Sequence, residues 1–438
     1  MFEKEEKMLG EMKNNLDSIP IPISQLDQAI LFGFQNAKHQ ERNPKKRIWI
    51  LSSLAAAILL IAFLSVIRVS PAFAYYISSI PGMEKIVKFI SHDKGLMSAV
   101  ENDYAQEINV TKEKNGLKVT IDSAIADENG LVVFYTIESK NTQKTFDMEE
   151  VELKSGDGVN FTTKTFSYSN HNSFDEPKKK VSNSLEFFFQ EPLKTKKFVM
   201  NMKVSTDEQI ESFKIPFSIE KPIKTKKSFD LNETVLVEGQ KITIKNVTIY
   251  PLRVAVHVAM DPTNRKKLFA FEDLRLIDEN GESWTKISNG TTASFLNDHE
   301  QILYLQSNYF REAKELYLAF SKIQAVDKDE AYVLVDTNKQ QILKQPKGNI
   351  LSLSDEKMEH NDLVFALNVK EDFHYHIFNS IRDVNGKDIF VGTSYSSYTE
   401  DHKQLMGVTL PDHYTNPLRL EMSFYPTWIE GDVKIRIQ

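Results

Sequence analysis

Read for the alternation of apolar and polar residues, the chain changes its period three times. Near the N-terminus Leu26, Ala29, Ile30, Gly33, Phe34 and Ala37 recur at spacings of three and four, which is the stripe of an amphipathic helix. Ser24 and Asp27 stand where a capping box opens such a helix, directly after an extended Ile-Pro-Ile-Pro stretch. The spacing predicts a helix over Ser24–Arg42. From Ile48 to Ile67 all periodicity disappears, and 20 consecutive residues carry no charge. At about 1.5 Å rise per residue such a run crosses about 30 Å of hydrocarbon, so a transmembrane helix is predicted there. Short helical patterns follow over 75–80, 83–90 and 94–104, divided by Pro81-Gly82 and His92-Asp93. Beyond Glu107 the period becomes two, and strands are expected to the end.

The order of predicted strands recurs at a spacing of about 110 to 120 residues. Leu117–Ile121 is matched by Lys241–Lys245, and Leu131–Tyr135 by Leu252–His257 and Leu363–Leu367. A polar turn follows in each unit, at Ser155–Gly158, Asp278–Gly281 and Asp383–Gly386. Each unit then has an alternating strand (Lys197–Val204, Glu315–Phe320, Arg419–Tyr425) and a closing strand (Phe213–Ile219, Ala331–Val335, Val433–Ile437). Units of this length with about seven short strands fit immunoglobulin-like sandwiches. The expected fold is mainly β: a cytoplasmic segment over 1–47 with its amphipathic helix, a transmembrane helix over 48–67 and a helical stalk over 68–106. Three sandwiches in series are expected after it, over 107–222, 223–345 and 346–438, the breaks falling in the lysine- and proline-bearing stretches Glu220–Lys227 and Lys344–Gly348.

Charge sets the orientation. Lys38, Arg42, Lys45, Lys46 and Arg47 precede the apolar run against Glu41 alone, and beyond Arg68 no charge appears before Glu84. The positive-inside rule places the N-terminus in the cytoplasm and the C-terminus outside the cell, giving a single-pass cell-membrane protein with the lipid bilayer as its first partner. Ala72 and Ala74, in a small-x-small pattern after Pro71, mark a candidate cleavage site. With 54 basic against 61 acidic residues the chain is too acidic for a nucleic-acid binder. The absence of cysteine excludes disulfides, thiolate metal sites, cysteine nucleophiles and a lipidated cysteine.

The outer part shows no nucleophile elbow, phosphate loop or metal-binding helix, so it reads as a non-enzyme without a cofactor. His374 and His376, one strand period apart, are the best metal candidates, with His360, His402 and His413 as further donors; ordinary exposed polar strand positions account for them better, and no metal site is assigned. Lys178–Lys180 and the lysines 224, 226 and 227 read as solvated loops, with anionic wall polymers as the alternative. Tyr395, Tyr398 and Tyr414 read as cross-strand contacts.

Three stretches carry a family resemblance: Ile21–Ile30, Ser70–Ala74 (Ser-Pro-Ala-Phe-Ala) and Ile80–Ile86. With the strand pair Leu117–Tyr135 they resemble a Firmicute family of single-pass membrane proteins, domain of unknown function 4179, many of whose members are described as anti-sigma factors or their relatives. Residues 228–343 are similar to the second, immunoglobulin-like domain often found behind it. The resemblance implies an outer sensor of an envelope ligand and a cytoplasmic helix that restrains an extracytoplasmic-function sigma factor. Leu26, Ile30 and Phe34 would form the partner-binding face, without zinc, since the segment holds His39 and no cysteine. The alternative is a cell-surface binding or structural module whose tail only sets topology.

Overall fold

The computed structural model describes residues 90, 92–159, 161, 163–168, 171–287, 292–356, 361–369, 373–389, 394–399 and 404–438. The chain divides into two compact units, Met1–Phe73 and Ala74–Gln438, and everything described lies in the second. The helix over Ser24–Arg42, the apolar run Ile48–Ile67, the Ala72/Ala74 motif and the stalk patterns before Ile90 lie outside the described residues. Among the described residues no helix is long and apolar enough to cross a membrane.

The described chain opens on one helix, α1 (Lys94–Glu101). Asp93 caps it by accepting from the backbone N–H groups of Gly95 (2.8 Å) and Leu96 (3.0 Å), satisfying two of the four donors a helix start leaves free. The helix ends earlier than its pattern suggested, because Asp103 turns the chain at φ 53°.

The first sheet holds β1 (Gln106–Lys114), β2 (Leu117–Ala126), β3 (Gly130–Ser155), β4 (Thr163–Tyr168), β5 (His171–Phe189), β6 (Lys197–Thr206) and β7 (Ile210–Ser218). Asn115 and Gly116, both at positive φ, form the two-residue turn that joins β1 to β2. The 26-residue β3 pairs with β2 through its first half, with β6 through its second and with β5 from Gly130 to Asp147, so one strand serves both layers. Its inward residues Leu131, Val133, Tyr135 and Ile137 close on Met200, Met202 and Ile215 from the other layer.

The second core lies between two sheets built from β8 (Lys227–Val237), β9 (Gln240–Ile249), β10 (Arg253–Met260), β11 (Lys266–Phe271), β12 (Arg275–Asp278), β13 (Ser283–Trp284), β14 (Ala293–Asn297), β15 (Glu300–Gln306) and β16 (Leu316–Asp327). One sheet runs β14-β15-β10-β9-β8 and the other β11-β16-β12-β13. Trp284, Phe271 and Phe320 fill the space between them.

The third core is enclosed by β17 (Tyr332–Asp336), β18 (Gln341–Lys344), β19 (Leu351–Ser354), β20 (Asp362–Leu367), β21 (Phe378–Arg382), β22 (Asp388–Ile389), β23 (Ser394–Tyr398), β24 (Gln404–Thr409) and β25 (Leu418–Met422), in sheets ordered β18-β17-β25-β21-β22 and β19-β20-β24-β23. The chain then returns: β26 (Trp428–Arg436) pairs with β16, from Gln324 opposite Trp428 to Tyr317 opposite Arg436.

This return corrects the expected boundaries. The strand expected to close the second unit, Ala331–Val335, is β17, paired with β25 of the third. The strand expected to close the third, Val433–Ile437, completes the second, where Ile429, Val433, Ile435 and Ile437 join its core. The third sandwich is thus an insertion between β16 and β26, not the last of three in series. A half-buried strand needs a sheet to cover its apolar face, and alternation does not say which sheet.

Candidate functional site

The described residues place their most unusual chemistry where α1, the first sandwich and the second sandwich meet. Arg253 opens β10 in the sequence Leu-Arg-Val-Ala-Val, a strand whose alternate residues fill the second core. Its side chain is only 4 % exposed, and a guanidinium that deep must be compensated. Its carbon centre lies 3.2 Å from the Phe188 ring centre and 5.2 Å from that of Tyr304. The charge therefore lies against an aromatic of each sandwich.

Three carboxylates face that charge. Glu186 on β5 approaches at 3.5 Å. Asp127, in the β2–β3 turn, accepts from the backbone N–H groups of Asn129 (2.8 Å) and of Leu252 across the junction (3.0 Å). Asp93, the cap of α1, is the third. Burial pushes the Asp127 carboxyl up to about 6, against the pull of the Asn129 and Leu252 N–H groups and of Arg253. Burial likewise raises Asp93 and Glu186, partly offset for Asp93 by its two cap hydrogen bonds and for both by the arginine. Arg253 Nε and Nη1 find no protein acceptor, so ring stacking and nearby charge hold it more than direct hydrogen bonds.

Helix α1 is fastened to the same place. Gln306 Nε2 donates to the His92 carbonyl at 2.9 Å. A Cβ on Gly95 would sit 2.5 Å from Ser307 N, so helix and strand end touch backbone to backbone at a position only glycine allows. The Tyr104 hydroxyl, pushed up to about 12 by burial, donates to the Ala126 carbonyl (2.6 Å) and accepts from Lys224 N–H (3.0 Å). It ties the end of the helical segment to the β2–β3 turn and to the linker between sandwiches.

A smaller polar junction joins the second and third sandwiches. Glu272 accepts from Gln324 Nε2, from Trp428 Nε1 at 3.2 Å and from the Tyr375 hydroxyl at 3.1 Å. Burial, reinforced by that carboxylate, pushes Tyr375 up to about 12.

Residues 44–139 match the family model DUF4179, a domain of unknown function. The DUF4179 match spans the apolar run, α1 and the first β-hairpin into β3, and so contains Asp93 and Asp127. Residues 226–367 match a second model, DUF5643, a family of unknown function. It begins with β8, contains Arg253 and ends with β20. The Arg253 junction is thus assembled from both matched segments and from Glu186 between them. The chain matches no curated protein. Among solved structures it is similar to a crystal structure titled as the conserved domain protein from Bacillus anthracis, at 15 % identity, covering 55 % of this chain and 84 % of that one with a TM-score of 0.37.

The partner-binding residues Leu26, Ile30 and Phe34 and the cleavage residues Ala72 and Ala74 lie outside the described residues. His374 and His376 are exposed and fall in a loop, not on one strand face, and among the described residues no group of three His, Asp or Glu side chains is placed to hold a metal. The tyrosines expected as cross-strand contacts divide: Tyr395 donates to Asp362 (2.9 Å), Tyr414 to Thr337 (3.1 Å), and Tyr398 stays half exposed. Arg253 was not singled out by sequence reasoning, although a lone arginine inside an otherwise apolar strand is a signal.

Proposed function

We propose that the chain is a membrane-anchored, anti-sigma-factor-like signalling protein. It crosses the cell membrane once, with its N-terminus in the cytoplasm and three immunoglobulin-like sandwiches outside as a sensor. The helix Ser24–Arg42 restrains an extracytoplasmic-function sigma factor through Leu26, Ile30 and Phe34 until an envelope ligand, or cleavage near Ala72 and Ala74, releases it. No catalysis and no cofactor is involved. The observation that carries the reading is the fastening of α1, which follows the apolar run by 26 residues, at the meeting point of two sandwiches through Asp93, Gly95 and Gln306. A two-state element must be biased from both sites for a signal to pass between them, and a helix clamped by buried charge has the form of one.

The test is the double substitution Ile30→Asp, Phe34→Asp in the full chain, with a reporter driven by the extracytoplasmic-function sigma factor that the native chain represses. Reporter activity is expected to rise to the level of a strain lacking the protein. An unchanged reporter at normal protein level would refute the restraint. A second reading, a surface-binding module, is favoured by the edge strand β14, where Phe295 is 72 % and Leu296 47 % exposed. Intact surface function after deletion of residues 1–40 would favour it.

A further inference from the structure

The Arg253 junction is unbalanced in charge. Asp93 at the start of α1, Asp127 in the β2–β3 turn and Glu186 on β5 all act on the one guanidinium, so with every carboxylate ionised two negative charges stand in excess. Asp127 is 1 % exposed and Arg253 4 %, and water screens little of that excess; an ion buried without a partner is costly. Glu186 is repelled by Asp93 as well as attracted by the arginine.

The surroundings do not restore the balance. Tyr104 after α1 and Tyr250 after β9 lie near Asp127, and burial pushes both up to about 12, so they stay neutral. Burial raises Tyr309 in the same sense, and Tyr304 faces the guanidinium with its ring. Glu128, in the same turn as Asp127, adds a further negative charge. The neighbouring cations are engaged elsewhere. Lys94 Nζ donates to the Ser283 carbonyl (2.9 Å), and Arg311 lies 3.8 Å from Glu101. Lys224, Lys226 and Lys227 of the linker lie over the rings of Phe310 (5.0 Å), Tyr250 (6.0 Å) and Tyr309 (4.8 Å). His92 is exposed and enters through its carbonyl, which accepts from Gln306.

The junction of the second and third sandwiches is built differently, since Phe269 of β11 and Val326 of β16 belong to the third core. Apolar packing of that kind does not titrate. Helix α1, by contrast, has eight residues, too few to keep its shape in water alone, and its fastening through Asp93 and Gly95 depends on the first junction staying closed.

We propose that the Arg253 junction is a proton-operated latch on α1, closed by acid and loosened at neutral pH while the second and third sandwiches stay joined. Two protons from the solvent, shared among the three carboxyls, bring the cluster to neutrality with one carboxylate left against the guanidinium. The sign follows from burial. Asp127 titrates at about 6 in the closed junction against 3.8 when open to water, so the closed form holds the proton more tightly. Its advantage is complete below about pH 4 and is lost as pH rises through about 6. In the signalling function proposed above, the proton is then the envelope ligand; that step rests on the earlier reading, and the latch does not.

The experiment is hydrogen exchange of the full chain in detergent micelles at pH 5 and pH 8, corrected for the intrinsic exchange rate at each pH. Protection of α1 and of the Leu252 amide, which donates to Asp127, is expected to fall at least about tenfold from pH 5 to pH 8, the change that Asp127 alone produces. Strands β20 and β24 of the third sandwich keep theirs. Asp127→Asn with Glu186→Gln leaves one carboxylate opposite the arginine and reduces the fall to less than about threefold. Glu186→Gln alone, which keeps the Leu252 contact, reduces it in part, and circular dichroism checks that both variants fold. The proposal is overturned by native protection that does not fall, by a fall of equal size in β20 and β24, or by a fall in the double variant as large as in the native chain. A junction that loosens as expected, with a sigma reporter that stays level when the medium moves from pH 5 to pH 8, would instead refute the signalling function and leave the latch standing.

Discussion

Replacing Arg253 by Met keeps a flexible apolar stem against Phe188 and Tyr304 while removing the charge that lies on those rings. Three buried or part-buried carboxylates, Asp93, Asp127 and Glu186, then share a junction without a cation. Removing one partner from a buried ionic set costs about 3–5 kcal/mol, because the remaining charge is left uncompensated. Glu186 stands at 3.5 Å, a long contact, which places the expected loss near the lower end, about 3 kcal/mol at pH 8. At pH 5 the loss is smaller, about 1 kcal/mol, because Asp127, titrating at about 6 even with Arg253 present, takes up a proton and removes its own penalty. Hydrogen exchange of the full chain in micelles measures the local opening of α1, β5 and β10. A loss of 3 kcal/mol corresponds to exchange faster by about a hundredfold at pH 8. Unchanged exchange at pH 8, or an acceleration of the same size at both pH values, would show that the arginine does not hold the junction by compensating charge.

Two further outcomes follow from the same structure. The Asp127 carboxyl is raised in the folded chain from 3.8 to about 6, so its contribution is fully present below about pH 4 and is lost as pH rises through about 6, an effect of about 3 kcal/mol. Asp93 and Glu186 are raised in the same sense. The melting midpoint of the native chain should fall between pH 4 and 7, and Asp127→Asn should flatten most of that slope; an equal slope in the variant would be the contrary result. Ile435→Ala opens a hole in the second core, where Ile435 is 1 % exposed, and should cost about 2–5 kcal/mol. The fluorescence transition of the buried Trp284, in the same core, reads that loss, and an unmoved midpoint would place β26 elsewhere.

Local structure was far more legible in the sequence than the partnering of its pieces. The turns at Asp278–Gly281 and Asp383–Gly386 lie where the polar clusters put them, with Gly281 at φ 81° and Gly386 at φ 79°, conformations that favour glycine. Strands such as Leu117–Ala126 and Lys197–Thr206 follow the period of two. The exchange of β17 and β26 between sandwiches was not legible, since Val333 and Val335 alternate as well as Val433 and Ile435, and either pair fits either core. The junction was half legible. The polar cluster Asp127–Gly130 marks Asp127 as a turn residue, which it is, and nothing local announces that its second oxygen accepts from Leu252, 125 positions later. His374 and His376 misled in the other direction, because the alternation that suggests a shared face requires a strand and the chain there is a loop.

The late position of β26 in the chain also sets an order of assembly. During synthesis β16 emerges about a hundred residues ahead of the strand that covers it, so the nascent second sandwich waits with one side of a central strand bare while the inserted sandwich forms. The first and third sandwiches can each close as they are delivered, whereas the second is sealed last, by residues 428–436. Any event that withholds those few residues, whether a stalled ribosome or a trimming peptidase, leaves the wall behind the Arg253 junction unfinished while its neighbours stay folded.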